Sequence, residues 1–321
     1  IVHARGCCTC GHVFSQSLCW VYYRSNPSGQ WDTVTWGYSL VNRLKDIEII
    51  PSNQSLGAEV CGIDLAEDIP GEVVHRIVKA WERHHVIYFR GQSIQDERQL
   101  EITQWFGPRH APYPDMPILG DVSQPDIISI SNVTEDGLLG GGRLEPHQDT
   151  IYLPTPLAGA VMRAEEVPKT GGDTAWSNLI QAYDELSPGM KRRLRGLKVI
   201  AFNPYAGRSA RRDLGGGQQW FGTQDSAPHP HPLVRIHPPT GKKTLWVSCL
   251  NSERLVGLPD LEGGHQLLSE LKTHVDQDHL YYTHRWKEGD VLVWDNRCCN
   301  HKREAIPEGQ RRVFYRSVIG G

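Results

Sequence analysis

From Asp46 onward, apolar residues come in short runs separated by Gly, Pro, Asn and Asp, which is the rhythm of strands rather than of long helices. IEII (47–50) and LGAEVCGIDL (56–65) open the pattern, and VIYF (86–89) reads as a compact buried strand. Between them, Asp68-Ile69-Pro70 starts a helix whose Val73, Val74, Ile77, Val78 and Trp81 share one face. A second helix spans roughly 95–106 and stops at Gly107-Pro108, and a long Pro- and Gly-rich loop follows from 107 to 146. Further on come a helix pair broken at Ser187-Pro188, a helix near 259–276, and strands near 232–237, 243–249, 290–295 and 312–319. Short strands with helices inserted among them predict a mainly β fold with flanking helices, a sandwich or barrel core covered by helices on one side.

Residues 1–46 keep no sustained period and crowd four of the eight cysteines, Cys7, Cys8, Cys10 and Cys19. They are read as an N-terminal extension, poorly ordered and outside the fold, with 47–321 as one catalytic-size domain. Cys7-x-x-Cys10 with His12 and Cys19 falls short of a zinc knuckle, because the second pair at ordinary spacing is missing. Cys61, Cys249, Cys298 and Cys299 are scattered, which fits free thiols in a reducing cytoplasm better than a disulfide scaffold. The formal charge of −3, from 34 Lys+Arg against 37 Asp+Glu, leaves no global basic surface for nucleic acid. With no apolar run long enough to span a bilayer, the expected partner is a small molecule.

The chemistry starts at RLEPHQDTIYLP (143–154), where His147 and Asp149 stand two residues apart. On a strand, residues i and i+2 share a face about 6–7 Å apart, so one imidazole and one carboxylate can approach one ion together. His301, beyond the strand at 290–295, offers a third ligand. Two His and one carboxylate leave open positions on an octahedral iron(II); zinc is the competing metal. Arg312 and Arg316, four residues apart on the last strand, face one cavity, whereas Arg311 and Ser317 face the other way. A guanidinium's planar fork holds a carboxylate bidentately, which lysine cannot do. Without these companions, His-x-Asp in a chain with 15 His would be two ordinary polar residues.

Five blocks in order extend the picture: VIYFRGQ (86–92) with its helix to WFG, PHQDTIYLPTPLAGAVM (146–162), TGGDTAWSN (170–178), HPLVRIHPPTGKKTLWV (231–247) and WDNRCCNH…GQRRVFYR (294–316). Over residues 47–319 the chain resembles the taurine dioxygenase and 2,4-dichlorophenoxyacetate dioxygenase (TauD/TfdA) family of Fe(II)/2-oxoglutarate dioxygenases. The resemblance implies a double-stranded β-helix (jelly-roll) core, with Fe(II), 2-oxoglutarate and O2 as the reaction's requirements. It implies His147, Asp149 and His301 as iron ligands, Thr174 and Arg312 as the 2-oxoglutarate site, and Trp294 as a pocket wall. Arg316, Tyr113, His110 and Thr150 fall on the substrate side, where Arg143, four residues before His147, adds a positive charge that taurine dioxygenase lacks. The implied reaction hydroxylates a small anionic molecule, releases succinate and CO2, and cleaves a C–S or C–O bond when the hydroxylated carbon carries the heteroatom. Desaturation or epoxidation is the alternative outcome, and Asp149 argues against a halogenase. Relatives also suggest a homo-oligomer, a dimer or tetramer.

The chain departs from the pattern at Pro146, where the family often has tryptophan, and in the shortened His110 to Tyr113 spacing. Two rivals make different predictions. A non-enzymatic β-barrel binding metal or anion yields no succinate with any substrate. A zinc hydrolase needs a placed general base such as that of HExxH, which is missing here.

Overall fold

A computed structural model describes residues 21–25, 31–35, 47–110, 126–134, 137–202 and 229–321. The chain divides into two units, Ile1–Asp46 and Ile47–Gly321. In the first, Val21–Ser25 pairs antiparallel with Trp31–Thr35. The expectation of poor order over 1–46 and the reading of Cys7, Cys10, His12 and Cys19 fall otherwise outside the described residues.

The second unit opens with β1 (Glu48–Pro51) and β2 (Ala58–Cys61). Helix α1 (Gly71–His84) starts directly after Pro70 and buries Val73, Ile77, Ala80 and Trp81. It ends at His85, which takes the left-handed conformation (φ 63°) and donates its backbone N–H to the Trp81 carbonyl. β3 (Val86–Phe89), α2 (Asp96–Phe106) and β4 (Arg109–His110) follow.

The stretch 107–146, expected to be loop, instead carries strands: after β4 come β5 (Ile127–Ser131), β6 (Leu138–Leu139) and β7 (Leu144–His147). IISIS is too short and too closely flanked by Pro and Gly to announce itself; its neighbour stabilises it. Ile128 pairs with Arg316 and Ile130 with Phe314, and both isoleucines are buried in the core.

The remaining strands of the two main sheets are β8 (Gly159–Glu166), β9 (Thr174–Asn178), β10 (Tyr281–His284), β11 (Val291–Asp295), β12 (Cys299–Arg303) and β13 (Val313–Ile319). The large sheet runs β1-β2-β3-β11-β8-β13-β5-β6, with β4 also on β13; the small one runs β10-β9-β12-β7. In the large sheet, β3 and most of β11 are continuous apolar runs because both faces are covered; Val291–Asp295 is buried at every position. On the outer face, Ser317 meets Gln99 and Thr103 of α2. On the inner face, Trp176 of β9 lies 5.9 Å from Trp294 of β11 and 6.5 Å from Trp286, with Phe314 and Ile128 in the same core. These tryptophans hold the sheets face to face, and truncating Trp176 to Ala is expected to cost about 3–5 kcal/mol.

Helices α3 (Leu179–Glu185), α4 (Pro188–Arg193) and α5 (Leu261–Val275) begin at Asn178, Ser187 and Asp260, whose side chains accept backbone N–H bonds. Leu179, Ala182 and Tyr183 of α3 share a second core with Leu267, Leu271 and Val275 of α5. The architecture is that of a jelly roll with flanking helices, as the sequence pattern and the resemblance together led us to expect.

Candidate metal centre

Pairing of β12 with β7 sets His301 directly opposite His147. Asp149 reaches the same point by another route. The expectation of two side chains on one strand face needs correction: β7 ends at His147, and Asp149 lies in a turn. That turn is tight, with Thr150 at φ 53°, a conformation unfavourable for a β-branched residue. The result is convergence all the same, since the three side chains offer ligand atoms within 4.8 Å of one another.

His147 presents its lone pair inward. His147 Nδ1–H donates to the Glu145 carbonyl at 2.7 Å, which fixes the tautomer and turns Nε2 toward Asp149 Oδ1, 3.9 Å away. His301 Nε2 stands 3.8 Å from Asp149 Oδ2, and the two rings lie 4.1 Å apart. Burial, and then the neighbouring His147, push His301 down to about 3, and burial likewise lowers His147. Burial alone would raise Asp149, but Arg316 and the two imidazoles outweigh it and hold the carboxyl at about 2. At neutral pH the trio is therefore two neutral imidazoles and one carboxylate, the protonation state a divalent cation requires. Two nitrogen donors and one oxygen donor on one side of a buried point suit iron(II) with positions left open.

Arg316 and Arg312 are both buried, at 2% and 1% exposure, on the inner face expected for them, whereas Arg311 pairs outward with Glu166. Arg316 forms an ion pair with Asp149 Oδ2 and lies 5.0 Å from the Trp294 ring. Trp294 is fully buried 5.3 Å from the His301 ring, where a wall of the site would stand. Arg312 rests over Phe314 at 3.6 Å, and its Nε and Nη1 have no hydrogen-bond partner. Burial and the adjacent Arg303 push it well below the usual arginine range, and burial brings Arg303 to about 10. A buried guanidinium with unused donors beside a second one is a place where an anion gains both charge and hydrogen bonds. Thr174, at the start of β9 opposite Arg303, is buried; its hydroxyl accepts from Trp286 Nε1 at 3.0 Å and keeps its own proton to donate.

The other candidates are dispersed. Thr150 is buried, with its hydroxyl accepting the Leu157 N–H at 2.9 Å. Arg143 is 61% exposed at its side chain and pairs with Glu145 at 3.1 Å. His110 is exposed on β4 opposite Val318, and Tyr113 lies outside the described residues. Sequence reasoning missed Arg303 and Asn296, although both sit in or beside the block that supplied His301. It also missed a second buried group, His85, His237, Asp295 and Cys298, with ligand atoms within 4.8 Å. There His237 Nε2 bonds Asp295 Oδ2 at 2.9 Å, and Arg297 grips both oxygens of that carboxylate, at 2.8 and 2.6 Å.

Known proteins resemble the chain over this whole unit. The family model described as Taurine catabolism dioxygenase TauD, TfdA family matches residues 48–318. The (S)-phenoxypropionate/alpha-ketoglutarate-dioxygenase of Sphingobium herbicidovorans is 29% identical over 278 residues, covering 85% of this chain and 95% of the relative. The alpha-ketoglutarate-dependent 2,4-dichlorophenoxyacetate dioxygenase of Cupriavidus pinatubonensis is 30% identical over 281 residues, covering 84% and 96%. Among solved structures, AAD-2 in complex with Mn(II) and N-oxalylglycine superposes with a TM-score of 0.69 at 26% identity, covering 86% of this chain and 97% of that one.

Proposed function

We propose, since the chain belongs to the taurine catabolism dioxygenase TauD, TfdA family, that it oxidises a small anionic organic acid of the aryloxyalkanoate type. As a member it is an Fe(II)- and 2-oxoglutarate-dependent dioxygenase. His147, Asp149 and His301 are the proposed iron ligands, and residues 47–321 the catalytic domain, with 1–46 an extension not needed for turnover. The observation that carries this reading is the cross-strand His147–His301 pair with one ionised carboxylate facing both Nε2 atoms.

Bound iron and 2-oxoglutarate supply the oxidising chemistry, taking O2, 2-oxoglutarate and a C–H bond to the hydroxylated substrate, succinate and CO2. The protein's own residues hold and orient. The Nδ1–H of His147 stays on the Glu145 carbonyl, so Nε2 keeps its lone pair free to bind the metal. Arg312, with unused N–H groups at Nε and Nη1, takes the far carboxylate of 2-oxoglutarate, and the Thr174 hydroxyl donates to the same molecule. Arg316 neutralises Asp149 in the structure described; with a cation on that carboxylate, its guanidinium can turn to the substrate's anionic group. Trp294 closes one side with apolar surface and excludes water from the reacting carbon. An aryloxy acid hydroxylated at the carbon bearing the ether oxygen collapses with C–O cleavage.

Free Cys61, Cys249, Cys298 and Cys299 support a reducing, cytoplasmic setting. Among the described residues no helix is long and apolar enough to cross a membrane. The test is succinate release from 2-oxoglutarate under air with Fe(II), across aryloxyalkanoates, sulfonates and alkyl sulfates. An aryloxy acid giving the fastest release and a phenol product is expected. Succinate release stimulated only by sulfonates would overturn the substrate class, and none with any substrate would favour the binding-protein alternative.

A further inference from the structure

We propose that Asn296 is a positioning residue for the iron site, setting the Asp149 carboxylate by gripping its backbone. The inference rests on Asp149 being a metal ligand. Asn296 is 1% exposed, and each of its polar atoms is engaged. Its side-chain Oδ1 accepts the Asp149 N–H at 2.8 Å, while Nδ2 donates to the Asp149 carbonyl and to the Leu157 carbonyl, both at 2.9 Å. The carboxamide therefore takes both peptide groups flanking Asp149, as a neighbouring β-strand would, at a place where β7 has already ended. Its backbone carbonyl accepts Gln148 Nε2 at 3.0 Å, and its backbone N–H donates to Ala158 at 2.9 Å.

The turn needs such a grip. Thr150 is held at φ 53°, a conformation that a β-branched residue keeps only when its surroundings dictate it. Relaxing that strain would rotate the Asp149 peptide and carry the carboxylate away from the two Nε2 atoms. The side-chain hydrogen bonds on the Asp149 N–H and carbonyl, at 2.8 and 2.9 Å, both come from Asn296.

The second buried cluster gives Asn296 a rigid base. Asp295, its chain neighbour, is held by His237 at 2.9 Å and by Arg297 through Nε, Nη2 and backbone N–H, and its own N–H donates to the His85 carbonyl at 2.8 Å. With both carboxylate oxygens already committed, this cluster reads as an anchor rather than a second metal site. Its position one residue before Asn296 transmits that rigidity to Asp149.

The experiment is anaerobic titration of the full chain with Fe(II) alone, and with Co(II) to read ligand geometry from its visible spectrum, alongside the apo unfolding midpoint. Asn296→Ala is expected to weaken Fe(II) binding about 10–100-fold, the usual effect of losing a group that orients a metal ligand, and to alter the Co(II) spectrum. Asn296→Asp, which keeps an acceptor for the Asp149 N–H but has no N–H to donate, is expected to fall between. A lowered midpoint with unchanged Fe(II) affinity and Co(II) spectrum would reduce Asn296 to a packing role and overturn the proposal. Asp149→Ala in parallel separates the two failures: if it too leaves the affinity unchanged, the metal assignment itself is wrong and the proposal goes with it. If neither Asn296 variant is recovered folded, His237→Gln is read instead. The His237 hydrogen bond to Asp295, the residue before Asn296, connects it to Asp149, so weaker Fe(II) binding with an altered Co(II) spectrum supports the proposal and unchanged binding overturns it.

Discussion

Two buried groups of histidine and aspartate in this protein answer the same burial in opposite ways. In both, the aspartate is held at about 2 against desolvation, Asp149 by Arg316 and the imidazoles, Asp295 by Arg297 and His237. The histidines diverge. Burial and a second imidazole drive His301 down to about 3; burial works on His237 as well, but the hydrogen bond to Asp295 overcomes it and pushes His237 up to about 9. Geometry explains the contrast. His237 and Asp295 form a hydrogen bond at 2.9 Å, whereas the Nε2 atoms of His147 and His301 stand 3.9 and 3.8 Å from Asp149. A search for ligand-type residues alone finds both groups. The first group keeps two neutral imidazoles and Asp149 Oδ1 for a cation, with Oδ2 paired to Arg316; the second has both carboxylate oxygens closed by His237 and Arg297.

The contrast is broken most directly by removing one ligand-type side chain from each group. Asp149→Ala, or His147→Ala, is expected to reduce 2-oxoglutarate-dependent succinate formation below detection and to eliminate tight Fe(II) binding. Cys298→Ser is expected to leave metal stoichiometry unchanged. In a Co(II) titration the sulfur-to-metal absorption should be the same in wild type and Cys298→Ser; a band lost in the variant would mean that the second cluster takes a metal after all.

Next in size is the anion site. Arg312→Lys keeps the charge but loses the fork, and a charge-assisted hydrogen bond is worth about 1.5–3 kcal/mol. The 2-oxoglutarate concentration for half-maximal succinate release should rise about 10–100-fold, with Fe(II) affinity unaltered. An unchanged requirement would assign the unused donors of Arg312 to something else.

Protonation sharpens the comparison further. His301 binds its proton at about 3 in the folded state against 6.5 for an ordinary histidine, so the unfolded chain holds more protons between those values. Apo stability should therefore fall as pH drops below 6.5, reaching its full loss near 3. For His237 the sign reverses: its contribution is complete below 6.5 and is lost as pH rises through about 9. Each slope is at most about 1.4 kcal/mol per pH unit. Urea unfolding of the apo protein across pH should show both limbs, the acid one flattened in His301→Gln and the alkaline one in His237→Gln. A limb that survives its variant belongs to another group.

The sequence made the regular parts of this architecture legible because they carry local signals. VIYF lies in the strand its apolar run predicts, α1 uses the predicted face, and Arg312 and Arg316 are buried together while Arg311 is not. What it concealed is what depends on distant partners. β5 is stable through β13, and Asp149 is placed by a turn whose hydrogen bonds come from Asn296, 147 residues away. His237 carries no local mark that distinguishes it from the surface histidines, since its meaning comes from Asp295, 58 residues further on. Periodicity reports which face of an element is buried; it is silent about which polar atoms meet there.

Arg143 tests the same distinction at its weakest point. It lies four residues before His147, and that proximity along the chain is the reason to suspect it of binding an anionic substrate. Its side chain is 61% exposed and already paired with Glu145, itself 54% exposed. An exposed pair of this kind is worth about 0–1 kcal/mol, and its loss leaves no buried charge uncompensated. Arg143→Ala is therefore expected to change the substrate concentration for half-maximal succinate release by less than about fivefold, with Fe(II) and 2-oxoglutarate requirements unaffected. A larger rise confined to the substrate would mean that Arg143 leaves Glu145 when substrate arrives. The anionic group would then be read by an exposed arginine in addition to the buried Arg316, and closeness in sequence would have been the better guide than burial.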